Sequence, residues 1–191
     1  PLEWHIGPWN DAEREWQRTF LAQFDRPIVP IVVATSKPQK DWPAARWAEV
    51  CDALAGEYGL RPVLVGGRSP REVEAERVIM AGTRHKPFSA LGNGGLRGLA
   101  AIIEKSALVI SPDTGPLHLS VALGVPVISL LGYTNPKRVG PYRRFADLMI
   151  DAYGDEGESY PVSMENRPDR MDRITVRQVL ERIARWKAAY Q

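Results

Sequence analysis

The sequence predicts an α/β fold, a Rossmann-like parallel sheet with helices on both faces. Short β-branched apolar runs recur along the chain, and their unbroken apolarity marks strands buried on both sides. Amphipathic stretches of roughly 10–15 residues separate them, which makes βαβ units and a parallel sheet. The right-handed crossover rule then winds the helices onto both faces.

Taken in order, residues 10–25 form the first helix, with Trp16, Phe20, Leu21 and Phe24 at helical spacing and Asn10 or Asp11 as cap. The run 27–35 is the first strand. A helix opening on Pro43 carries Trp47, Val50, Cys51, Leu54, Ala55 and Tyr58 on one stripe and ends at Gly59. A second strand covers 61–67, a helix 69–82 follows, and 86–91 holds a short third strand. Residues 95–106 are helical, 107–111 a strand, 115–123 a helix and 125–131 a strand. One more strand is expected at 146–150, an exposed acidic loop at 151–159, and a closing amphipathic helix at 174–186 capped by Thr175.

The chain has 191 residues, 44% hydrophobic and 25% charged, the profile of a globular protein with a full core. A formal net charge of +2 is too small to argue for nucleic acid. Cys51 is the only cysteine, which excludes an intrachain disulfide and fits a reducing compartment. His5, His85 and His118 lack metal-type spacing. No apolar run approaches the roughly 18–20 residues that cross a bilayer. The opening residue is Pro1 rather than Met, as in a segment of a longer or processed protein.

Ligands in such sheets sit at the C-terminal ends of strands, and three stretches fall there. In TSKPQKDWP the hydroxyls of Thr35 and Ser36 can donate to phosphate, and Lys40 adds a full charge; the same residues also make an ordinary polar loop before a helix. In GGRSPREVE, Gly66 and Gly67 allow close approach and Glu72 can accept from a ribose diol, but Ser69 to Glu72 also spell a capping box with Pro at the first helical position. In SPDTGPLHL, Asp113 or Thr114 can cap the helix, Gly115 opens the backbone, and the amides at 114–116 make an anion site. A carboxylate there repels phosphate, so the oxygens of Asp113 are expected on backbone amides or sugar hydroxyls. His118 reads either as packing or as a ligand group. No P-loop and no nucleophile elbow are present, and GNGGLRG at 92–98 misses the dinucleotide register by one.

These three stretches together, with QKDWPAARWAEVCDAL, VLVGGRSPREVE and SALGNGGLRGLAAIIEKSALVISPDTGPLHLSVALGVPVISLLGYTNPKRVGPY, resemble the C-terminal half of bacterial heptosyltransferases, glycosyltransferase family nine. MDRITVRQVLERI is similar to that family's closing segment, so the resemblance runs over about residues 28–185. It implies the donor half of a GT-B fold, with residues 1–27 an extension and interdomain helix and 28–191 a nucleotide-sugar-binding domain. It implies an inverting transfer of heptose from an ADP-linked donor to a lipopolysaccharide-type acceptor, with no metal or other cofactor and no nucleic-acid partner. Thr35, Ser36, Lys40, Thr114 and Gly115 then match the diphosphate positions, Glu72 the ribose position, and Asp113 and His118 the donor-sugar positions. The general base belongs to the N-terminal domain, outside this chain, so this half alone is expected to bind nucleotide without turnover. The implied location is cytoplasmic, peripheral on the inner face of the bacterial inner membrane. Tyr133 and Asn135 depart from the family's usual Pro and Asp in GYTNP, which leaves donor specificity open.

Overall fold

The computed structural model describes Ile6, residues 9–141 and residues 143–191. His5, most of the extension before Trp9, and Tyr142 of the GPY motif lie outside the described residues.

Six strands form one sheet in the order β3-β2-β1-β4-β5-β6, every neighbouring pair parallel. They are β1 Ile28–Val32, β2 Arg61–Val65, β3 Phe88–Ser89, β4 Val109–Pro112, β5 Val127–Leu131 and β6 Ile150–Asp151. The strand order reverses between β1 and β4, and such a switch point opens a crevice at the strands' carboxyl ends.

The helices are α1 Asp11–Leu21, α2 Ala44–Gly56, α3 Pro70–Gly82, α4 Gly95–Glu104, α5 Gly115–Leu123, α6 Pro136–Val139 and α7 Val176–Tyr190. Local chemistry sets their ends. Capping boxes open α1 with Asn10 and Glu13, α3 with Ser69 and Glu72, and α7 with Thr175 and Gln178. Gly124, at φ +74°, closes α5 in the left-handed region.

Strand alternation divides the core in two. Val29, Ile31 and Leu64 face the layer that holds Trp42, Trp47, Leu54 and Ile79, with Ile183 and Trp186 of α7 in the same cluster. Ile28, Val32, Val63 and Val65 face the other way, onto Ile102 of α4 and Phe20 of α1. The helix expected as an extension therefore contributes to the domain's own second layer. Trp16 stacks on Phe20 at 5.3 Å, and a Cβ on Gly94 would meet Trp16 at 2.7 Å. Buried Gln17 donates to the Ala101 carbonyl at 2.7 Å and to Glu104 at 2.9 Å.

Several boundaries differ from expectation. α1 stops at Leu21 and α7 continues to Tyr190. The strand expected at 146–150 is a 3-10 turn, Ala146–Leu148, followed by a two-residue strand. Asp147 accepts from Arg185 at 2.9 Å and from the Tyr190 hydroxyl at 2.8 Å, contacts that hold the turn against α7. The 151–159 stretch is exposed at Asp151 and over 155–159, as expected, but it is anchored at its centre and by ion pairs. Tyr153 is fully buried, Asp155 pairs with Arg170 and Arg173, and Glu158 pairs with Arg167.

Candidate functional site

The three strand-end stretches meet in one cleft of about 870 Å³ at the switch point. Thr35, Ser36, Lys40, Glu72, Asp113, Thr114, Gly115 and His118 all line it. Val32, Val65, Ala90, Leu99 and Ile102 make an apolar floor.

The β1 loop is clamped from within. The Thr35 N–H donates to Asp41 Oδ1 at 2.6 Å, and Arg71 of α3 pairs with Asp41 while donating to the Thr35 carbonyl at 2.6 Å. Burial is the largest influence on the Asp41 carboxyl and pushes it above the ordinary range, against the hydrogen bonds from Thr35 and the charge of Arg71. The Thr35 hydroxyl donates to the Lys37 carbonyl at 2.7 Å, so its proton is turned into its own loop rather than toward phosphate. Trp42 is structural: its indole donates to the Ile174 carbonyl at 2.9 Å and ties the loop to the segment before α7.

Glu72 makes its capping box and more. Oε2 accepts from the Ser69 N–H at 2.8 Å and hydroxyl at 2.6 Å, and Oε1 accepts from the Gly67 N–H at 2.6 Å. Burial raises its pKa, but these bonds and Arg71 outweigh it and hold the carboxyl below the usual range. A carboxylate offers about four acceptor positions; three are filled, and one remains for a ligand. The two glycines serve this approach, since a Cβ on Gly66 would lie 2.7 Å from Oε1 and one on Gly67 3.0 Å from Oε2.

At the third stretch the expectation for Asp113 is corrected. Its oxygens face two nitrogen groups: Lys40 Nζ lies 2.5 Å from Oδ2 and donates to the Asp113 carbonyl at 3.2 Å, while His118 Nε2 lies 3.5 Å from Oδ1. Burial drives the Asp113 carboxyl upward, but His118, Lys40 and Thr134 overcome it and hold the group well below the ordinary range. The ion pair satisfies a carboxylate that is only 9% exposed. Neither Asp113 nor Thr114 caps α5 through its side chain. The amides are fewer than expected too. Pro116 has no N–H and the Leu117 N–H returns to the Thr114 carbonyl at 3.2 Å, which leaves Thr114 and Gly115 as donors.

Arg71 is a cleft residue that the sequence reading missed; nothing in its spacing says that α3 reaches back to the β1 loop. Asn135 is buried and points away from the cleft. It caps α6 at the Lys137 N–H at 3.0 Å and donates to the Pro161 carbonyl at 2.8 Å. Among the described residues no three His, Cys, Asp or Glu side chains gather as a metal site would need.

Residues 8–161 match the model of glycosyltransferase family 9 (heptosyltransferase). The chain is 33% identical over 135 residues to the lipopolysaccharide core heptosyltransferase OpsX of Haemophilus influenzae, a match over 71% of this chain and 38% of that one. A glycosyl transferase family 9 structure from Veillonella parvula superposes with a TM-score of 0.77 at 25% identity, over 93% of this chain and 52% of that one. The E. coli heptosyltransferase WaaC with ADP has the same fold, with a TM-score of 0.64 at 24% identity over 88% and 48% of the two chains. The chain thus spans about half of each solved relative and less of the curated one.

Proposed function

Because the chain belongs to glycosyltransferase family 9, we propose that it is the donor-binding half of an inverting glycosyltransferase that moves heptose from an ADP-linked donor to a lipopolysaccharide-type acceptor. The observation that carries this reading is the convergence of eight residues from three separate stretches on one cleft at the switch point. The apolar floor suits a nucleobase, the open lone pair of Glu72 a ribose hydroxyl, and the α5 N-terminus a diphosphate. ADP is present in the similar E. coli structure.

In this reading the acceptor hydroxyl oxygen bonds to the anomeric carbon as the bond to the diphosphate breaks. The acceptor's proton passes to a base on the other half of the enzyme. Negative charge grows on the leaving diphosphate, and Lys40, the Ser36 hydroxyl and the amides of Thr114 and Gly115 oppose it. No metal is given a part. An ammonium has three donors, so Lys40 can serve a phosphate oxygen while keeping the Asp113 carbonyl. Asp113 and His118 then lie beside the donor sugar. A lipid-borne acceptor puts the enzyme in the cytoplasm, at the inner face of the inner membrane. No helix among the described residues is long and apolar enough to cross that membrane.

Calorimetric titration with ADP, UDP and GDP tests the reading. Saturable binding with ADP preferred is expected; no binding by any of the three overturns it. Lys40→Ala should weaken ADP by about tenfold or more and leave adenosine within about twofold, the loss expected for a charged hydrogen bond. Equal losses for both would remove Lys40 from the phosphate site.

A further inference from the structure

The first turn of α3 holds two loops through two neighbouring side chains. Glu72 spends its bonds on Ser69 and Gly67, in the loop after β2. Arg71 reaches the other way, to the loop after β1. Its Nη1 pairs with Asp41 Oδ2, and its Nη2 donates to the Thr35 carbonyl at 2.6 Å. Asp41 Oδ1 in turn accepts the Thr35 N–H at 2.6 Å. Both backbone polar groups of Thr35 are therefore gripped, one by Arg71 directly and one through Asp41. A peptide unit is planar, so fixing the Thr35 carbonyl also fixes the direction of the Ser36 N–H.

Packing presses little on this loop. Residues 36–39 are exposed. The Thr35 hydroxyl and the Lys40 N–H both donate to the Lys37 carbonyl, at 2.7 and 3.0 Å, which bends the loop without attaching it to the sheet. Between α2 and α3 lies a hollow of about 450 Å³ walled by Val33, Pro70, Ala75 and Val78, with Asp41 and Arg71 on its lining. Arg71 also lines the cleft, so the Arg71–Asp41 pair stands between the two spaces. Ser36 and Lys40 are then suspended between that pair and the Trp42 anchor on the Ile174 carbonyl. A loop ordered before its ligand arrives gives up less freedom on binding.

We propose that Arg71 is a positioning residue for diphosphate binding, its guanidinium fork holding the β1 loop, through Thr35 and Asp41, in the form that presents Ser36 and Lys40. The binding half rests on the donor-site reading above; the loop-holding half does not. A carboxylate and a carbonyl must be met together at fixed angles, and an ammonium on a flexible stem is no substitute for a planar fork. The informative variants are Arg71→Lys, which keeps the charge and loses the fork, and Arg71→Met, which loses both but keeps an unbranched stem and a good helix former. Arg71→Lys carries the test should Arg71→Met fail to fold.

Amide-nitrogen NMR relaxation of the nucleotide-free protein should show Ser36, Lys37, Gln39 and Lys40 more mobile in both variants, with the amides of α3 unchanged. By calorimetry ADP affinity should fall about tenfold in Arg71→Met and about fivefold or more in Arg71→Lys, with adenosine within about twofold in both, because the bonds of Glu72 do not pass through Arg71. Unmoved loop amides overturn the proposal. So does an ADP affinity in Arg71→Lys within about twofold of wild type, which would make charge rather than the fork the active property. Equal losses for ADP and adenosine overturn it too, since a general loss of structure spares neither. If the loop amides loosen but wild type binds no ADP, the donor-site reading fails and the loop-holding role stands.

Discussion

Gly115 separates folding from function at a single position. A Cβ there would meet nothing within 4 Å, so packing does not demand glycine, yet the residue borders the cleft. Gly115→Ala should leave the melting temperature unchanged or slightly higher, because alanine is the better helix former, while calorimetry shows weaker ADP binding. Gly132→Ala should do the opposite and unfold, since its Cβ would sit 2.7 Å from the Arg170 backbone. Cys51 is fully buried and its thiol is pushed up to about 12, chiefly by burial, so a thiol reagent should label it only after denaturation. At Asp113 the folded pKa lies below the unfolded value near 3.8. The stability it contributes is therefore full above about pH 4 and lost as pH falls through the folded value. Acid denaturation of wild type against Asp113→Asn should converge at low pH and separate above it. The sequence marked eight of the residues that line the cleft, because hydroxyls, a lysine and acidic groups just past strands are conspicuous. It did not foresee the Lys40 pairing of Asp113 or the Thr35 hydroxyl bond to the Lys37 carbonyl, because a partner 73 residues away and a hydroxyl's rotation are matters of tertiary geometry.

Elements with strong periodicity or capping chemistry were legible: α3 has its expected box, α7 its expected Thr175 cap, and β2 and β5 lie inside their expected runs. The turn from Phe145 to Leu148 was not. Phe145 takes φ 60° and Asp147 answers to Arg185 on α7, so distant partners override a weak local apolar pattern. The junction of α1 with α4 was likewise invisible, since it depends on Glu104 receiving Arg14, Gln17 and the Trp9 indole together. Burial raises Glu104, but those donors prevail and bring it down to about 2. Its stabilising contribution is present above its unfolded value near 4.5 and disappears as pH falls through about 2. Glu104→Ala strands Gln17 without its carboxylate and should cost about 1–3 kcal/mol in urea unfolding at neutral pH. An equal melting point for variant and wild type would show that α1 does not depend on this cluster.

At the scale of the whole molecule, doubly wound topology brings three separated stretches to one crevice, and the sequence already implied it through alternating apolar runs and helices. The cleft has a further consequence. Its lining carries Lys40 and Arg71 against Glu72 and Asp113, so the fixed charges cancel, and each cation is already paired with a carboxylate. Recognition of an anionic ligand then rests on amides, hydroxyls and rearranged ion pairs at close range. A balanced wall projects little field past the Debye length, roughly 10 Å at 0.1 M salt. Capture is accordingly unsteered: stopped-flow association rates for ADP should barely change with ionic strength, where a cationic funnel would show a steep decline.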